Sequence, residues 1–185
     1  MSDGTPVELR SAPVPPLSQD DHVRGQGRLV IVYADFECPY CAVLEKQLGE
    51  LPVQTVFRHF PVRSSHPRAQ PAACAAEAAA AQGAFWPMHD SLFADQGRLE
   101  DPHLWDRARQ LGLDVSAFDA DRRASETSAR VRDQFRAGVR AGVVTTPTLF
   151  VDGVMHAGRP SEDLLRLLAT PAGDAQHPGR ASEED

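Results

Sequence analysis

Lysine is almost missing from this sequence: it occurs once, at Lys46, and arginine fills every other basic position. That choice reads as codon bias rather than chemistry. Basic charge as a whole is also short, since a formal net charge of -7 over 185 residues leaves no basic footprint. Nucleic acid is therefore not the expected partner. Nowhere does the chain supply about 18 consecutive apolar residues, so neither a transmembrane helix nor membrane insertion is expected. Met1 to Gly25 contains Asp3, Glu8, Asp20 and Asp21 and lacks the apolar run of a signal peptide, which makes the cytoplasm the expected compartment. Only three cysteines occur. They are too few for a structural disulfide framework, and in a reducing compartment a Cys-x-x-Cys pair points to redox catalysis or metal binding.

What remains is the composition of a soluble globular chain, 42% apolar and 24% charged, with length for one well-filled core. Leu29-Val30-Ile31-Val32-Tyr33 is a continuous β-branched run that suits a strand buried on both faces. The apolar residues Val43, Leu44, Leu48 and Leu51 then follow helical spacing, and Val53 to Phe60 alternates as a second strand. From Ser65 to about Gly142 the pattern is helical throughout. Ala69 to Gln82 is a strong helix former that Gly83 ends, Phe85 to Phe93 is a short amphipathic piece, Asp101-Pro102 and Asp114 open two more helices, and Val131, Phe135 and Val139 mark a last one. Strand signals resume at Thr148 to Val151 and Val154 to His156, with Asp152-Gly153 between them as a hairpin turn. Ser161 to Leu168 closes the pattern as a helix, and the polar, acidic stretch from Pro171 to Asp185 is expected to be a disordered tail.

The chemistry concentrates at Phe36-Glu37-Cys38-Pro39-Tyr40-Cys41, between the buried strand and the first helix. A cysteine at a helix N-terminus lies near unpaired N-H groups and the positive end of the dipole, which stabilise its thiolate. Pro39 fits the first helical position, where no N-H is needed. Cys41 is one turn deeper and less exposed, so Cys38 is assigned as nucleophile and Cys41 as resolving cysteine. Structural zinc sites share this spacing but need about four ligands. The remaining donors are Cys74, His59, His66 and His89, with no second close pair among them. Redox chemistry is the stronger reading, with no metal and no cofactor beyond the two thiols.

Asp35 to Cys41, His66-Pro67, Ala75 to Ala78, Gln82 to Trp86 with Met88-His89-Asp90 and Leu92-Phe93-Ala94, and Thr145-Thr146-Pro147-Thr148 resemble the DsbA-like thioredoxin family. The likeness runs from about His22 to Leu168, in the family's order. Within the family the sequence is most similar to domains that occur alone or fused to NhaA sodium-proton antiporters. The resemblance implies an α/β thioredoxin-like fold with an inserted all-helical subdomain. The implied layout is an N-terminal arm over 1–25, a first half with the dithiol over 26–64, the helical insertion over 65–142, a second half over 143–170 and the tail over 171–185. It also implies that Thr146-Pro147 is a cis-proline loop facing the dithiol, with the Thr146 backbone placed to pair with a bound peptide. Phe36, Pro39, Tyr40, Thr146 and Pro147 are the expected substrate contacts.

One departure from the family stands out. An acidic residue commonly lies in the strand six positions before the first cysteine, and this sequence has Val32 there. Either Asp35, Glu37 or water then serves the resolving cysteine, or the thiolate is maintained without such a base. Cys74, Phe85, Trp86, Phe93, His89 and Asp90 are read as packing residues. The expected activity is thiol-disulfide exchange with disulfide- or thiol-containing proteins or small thiols, and a further redox partner recycles the dithiol. Competing readings are a redox-sensing or metal-binding interaction module and a glutathione-dependent transferase or isomerase of the same architecture.

Overall fold

The computed structural model describes residues 13–170. Its sheet has five strands: β1 (His22–Gly25), β2 (Arg28–Ala34), β3 (Val53–His59), β4 (Thr148–Val151) and β5 (Val154–Ala157), in the order β1-β3-β2-β4-β5. β2 and β3 run parallel, joined by helix α1 (Pro39–Gly49), and every other pairing is antiparallel. Asp152 and Gly153, both at positive φ, turn the β4-β5 hairpin that the Asp-Gly pair predicts. The expected 1–25 arm requires correction: His22–Gly25 is not an arm but an edge strand paired with Phe57 to Gln54. Its His-Val-Arg-Gly sequence is too short and too polar to show strand periodicity, and the pairing to β3 is what makes it one. The expected disordered tail lies outside the described residues.

The helical insertion comprises α2 (Ala69–Ala80), α3 (Phe85–Ala94), α4 (Asp101–Gln110), α5 (Val115–Arg123) and α6 (Ser125–Arg140), and α7 (Glu162–Ala169) closes the chain. Asp114 and Ser161 cap α5 and α7 by accepting from Ala117 N and Leu164 N. The start of α4 differs by one residue from expectation: Glu100, not Asp101, holds the N-cap position. No described helix is long and apolar enough to cross a membrane.

β2 is buried on both faces, as its β-branched run predicts. Val30 and Val32 join Phe57, Leu149, Leu44 and the helices α2 and α3 in one cluster, while Ile31 and Tyr33 join Val56, Phe60 and Phe150 in a second. Gly138 lets α6 close on that second face, since a Cβ there would lie 2.8 Å from Phe60 Cδ2 and 2.9 Å from the Tyr33 ring. The central strand thus stands between two packed layers, and its C-terminal end carries the cysteine turn.

Candidate active site

β2 ends at Ala34, and the chain turns at Asp35 to enter α1 four residues later. Cys38 is the N-cap residue, with extended dihedrals of φ -79 and ψ 118, and Pro39 opens the helix. The turn is held from both sides. Cys38 N donates to Asp35 O at 3.1 Å and Glu37 N to Asp35 Oδ1 at 2.8 Å. Asp35 Oδ2 in turn accepts from Val62 N at 2.7 Å and lies 2.8 Å from His66 Nδ1. From the insertion, Gln96 Nε2 donates to Phe36 O at 2.8 Å and to Cys38 O at 2.9 Å. A buried carboxylate and a side-chain amide therefore anchor the loop at its two ends.

All three cysteines are free thiols. Across the turn, the Thr146-Pro147 peptide bond is cis, and the Cys38 thiol donates to Thr146 O at 3.4 Å. Hydrogen bonding from Cys41 lowers the Cys38 pKa to about 6 from an ordinary 9.0; burial opposes this, and hydrogen bonding from the Thr146 side chain and from the N-H groups of Cys41 and Tyr40 adds to the lowering. Cys41 is fully buried, and both its burial and the neighbouring Cys38 push its thiol well above the ordinary range. The pair is thus split into one thiol that ionises easily and one that keeps its proton.

A family model described as thioredoxin matches residues 21–169, nearly the whole described chain. The chain belongs to the thioredoxin family. Among curated relatives it is 42% identical over 163 residues to the Na(+)/H(+) antiporter NhaA 1 of Salinispora arenicola, covering 82% of this chain and 24% of that protein. To the Mycolicibacterium vanbaalenii protein of the same name it is 41% identical over 181 residues, covering 91% of this chain and 29% of that one. The chain spans about a quarter of the length of such relatives. A thioredoxin-like oxidoreductase from Silicibacter pomeroyi superposes with a TM-score of 0.73 at 24% identity, over 82% of this chain and 91% of that one. The thiol-disulfide exchange protein alpha-DsbA2 of Wolbachia pipientis superposes with a TM-score of 0.71 at 18% identity, over 80% and 85% of the two chains. Its fold is the DsbA-like one, a thioredoxin sheet carrying a helical insertion.

Within this thioredoxin-family site the structure brings Cys38, Cys41, Thr146 and Pro147 together, and Pro39 and Tyr40 stand exposed beside them. The expected substrate contact at Phe36 requires correction. It is 1% exposed and stacks on Phe57 with ring centroids 5.2 Å apart, among Phe93, His59 and His89. Alternation after β2 turns its ring into the core, leaving no face for a substrate. Cys38 itself is only 4% exposed, so the difference from Cys41 lies more in hydrogen bonding and ionisation than in exposure.

The other candidates resolve into scaffold. Val32 is fully buried among apolar neighbours, opposite Phe57 and Leu149. Asp35 instead reaches the dithiol through its backbone, which lowers the Cys41 pKa, while its charge acts the other way. His59 pairs with Glu77 at 2.8 Å, His66 with Asp35 and His89 with Asp90 at 2.8 Å, and among the described residues no three donors converge as a metal site. Cys74 is buried in α2, and burial raises its thiol. Sequence reasoning missed Gln96, which no motif marks and only the return of the α3-α4 loop brings to the cysteine turn. It also missed Arg159, whose guanidinium lies 5.7 Å from the exposed Tyr40 ring.

Proposed function

We propose that this protein exchanges dithiols and disulfides with protein or small-thiol partners through Cys38 and Cys41. The observation that carries the reading is the split of the pair: Cys38 at the helix N-terminus with its pKa lowered to about 6, and Cys41 beside it with its pKa raised. The Cys38 thiolate attacks one sulfur of a substrate disulfide. That S-S bond breaks, a mixed disulfide with Cys38 forms, and the other substrate sulfur leaves as a thiolate that takes a proton from water. Cys41 then loses its proton and its sulfur attacks Cys38. The mixed disulfide breaks, the second substrate thiol departs, and two electrons have passed from the dithiol to the substrate. The reverse sequence oxidises a substrate dithiol, and a second redox partner restores the starting state. The two thiols carry the electrons without a further cofactor.

Stabilising the Cys38 thiolate favours the reduced form and makes the Cys38-Cys41 disulfide the more oxidising. The reading is tested by insulin-disulfide reduction and by the dithiol reduction potential, in wild type and Cys38→Ser. Activity should vanish in the variant; full turnover without Cys38 would refute the assignment.

A further inference from the structure

A cleft of about 630 Å³ opens between the end of β3 and the C-terminal half of α6, next to the cysteine turn but apart from the dithiol. Its floor is apolar. Phe60, Phe135 and Val143 belong to the second core cluster, and Val139 and Val144 remain 51% and 84% exposed at its edge. Three exposed arginines, Arg63, Arg132 and Arg136, stand on its rim, and among the described residues no carboxylate lines it. Among the described residues Arg136 makes one exposed pair, with Asp133 at 3.5 Å, and Arg132 donates to Ser128 Oγ. The clefts of about 690 and 570 Å³ elsewhere on the surface both mix acids with their bases. A basic rim over an apolar floor sets this cleft apart from those two, on a chain whose net charge is -7.

Two residues that line the cleft connect it to the cysteine site. Val144 precedes by two residues the Thr146 carbonyl that contacts Cys38, a chain distance of at most about 7 Å. Val62, which also lines the cleft, donates its N-H to Asp35 at the base of the cysteine turn. A polypeptide whose cysteine is engaged at Cys38 and whose backbone runs along the 144–146 segment is thus led to the cleft mouth.

We propose that this cleft is a docking subsite for the polypeptide substrate, taking a segment in which apolar side chains are followed by carboxylates, a few residues from the reacting cysteine. The inference deepens the oxidoreductase reading by naming the class of substrate sequence. Apolar side chains lie on the floor made by Phe135 and Phe60, whose rings pack together with centroids 4.5 Å apart, and the carboxylates meet the arginines at the rim, where the pairing adds rate and selectivity. The site favours acidic amphipathic partners over basic ones and is indifferent to small disulfides, which do not reach it.

The test uses the full chain and synthetic peptides of equal length. Each carries one cysteine blocked as a mixed disulfide and a Leu-Leu-Glu-Glu or Leu-Leu-Lys-Lys arm, in both chain directions. At low salt kcat/KM should be about tenfold higher for the acidic arm, as expected for a few exposed ion pairs acting together. The preference should disappear in the Arg63→Glu, Arg132→Glu double variant, while turnover of the neutral 2-hydroxyethyl disulfide stays unchanged. Fluorescence anisotropy of the acidic peptide without its cysteine gives the same comparison without chemistry, so docking is measured even if the dithiol proves inactive. Equal kcat/KM and equal binding for the two arms would overturn the proposal, and so would a preference that survives charge reversal. Charge-dependent binding to phosphatidylglycerol vesicles without peptide selectivity would overturn it too, in favour of a lipid surface. Loss of 2-hydroxyethyl disulfide turnover in wild type would instead refute the oxidoreductase reading alone.

Discussion

Replacing Cys41 by alanine removes the largest of the interactions that hold the Cys38 thiol down. A hydrogen bond to a charged group contributes about 1.5–3 kcal/mol, and about 1.4 kcal/mol corresponds to one pH unit of titration. The midpoint for Cys38, about 6 in the wild type, should therefore rise by about one to two pH units in Cys41→Ala. Cys41→Ser keeps a donor in place and should rise less. The rate of iodoacetamide trapping as a function of pH reads this midpoint directly. Cys74, with its raised pKa, does not obscure it, and a Cys74→Ala background removes any doubt about which sulfur reacts. The redox consequence has a definite sign. Because the folded thiol titrates lower than an ordinary one, its contribution to the reduced state is complete above pH 9.0 and is lost as pH falls through about 6. At pH 7 it amounts to about 1.4 kcal/mol, or about 30 mV toward a more oxidising couple. An unchanged trapping midpoint in Cys41→Ala would refute the reasoning and assign the thiolate to the helix end alone. A wild-type midpoint near 8.5 would refute the split itself.

Other outcomes follow from the same geometry. Phe36→Ala should cost about 3–5 kcal/mol of stability in denaturant unfolding, and should leave KM for small disulfides unchanged; a large KM effect in a fully stable variant would return Phe36 to the substrate surface. Glu77 is buried and is held well below the usual carboxylate range, despite its burial, by hydrogen bonds from His22 and His59 and by their charge, with Arg130 2.7 Å away. Its depressed pKa means that its stabilisation is present above about pH 4.5 and is lost as pH falls through the folded value. Glu77→Gln should therefore lose about 3 kcal/mol at pH 7 and show a flatter acid limb in thermal melts, whereas equal stability at pH 7 would make the network neutral. Val32→Glu should speed resolution of the mixed disulfide by Cys41 in stopped-flow at neutral pH, at a cost in stability from a buried carboxyl. Equal or slower resolution would show that Val32 withholds nothing.

By itself the sequence determined where the two cysteines sit and the local frame that holds them. Strand periodicity, a proline at the first helical position and two cysteines one turn apart are short-range features, and short-range sterics and hydrogen bonding decide them. The Asp-Gly hairpin and the alanine-rich α2 are legible for the same reason. Thr146-Pro147 was legible only as a resemblance, since nothing within four residues of it says that it meets a cysteine 108 positions earlier. Tertiary structure alone decided the rest. It made His22–Gly25 a strand by giving it β3 to pair with, turned Phe36 inward, and brought Gln96 from the helical insertion onto the carbonyls of the cysteine turn. It also set Arg63 and Arg132 on one rim although they lie in different elements. Each of these depends on which segments the sheet and the insertion bring within van der Waals or hydrogen-bond reach, and periodicity in a single chain does not encode that proximity.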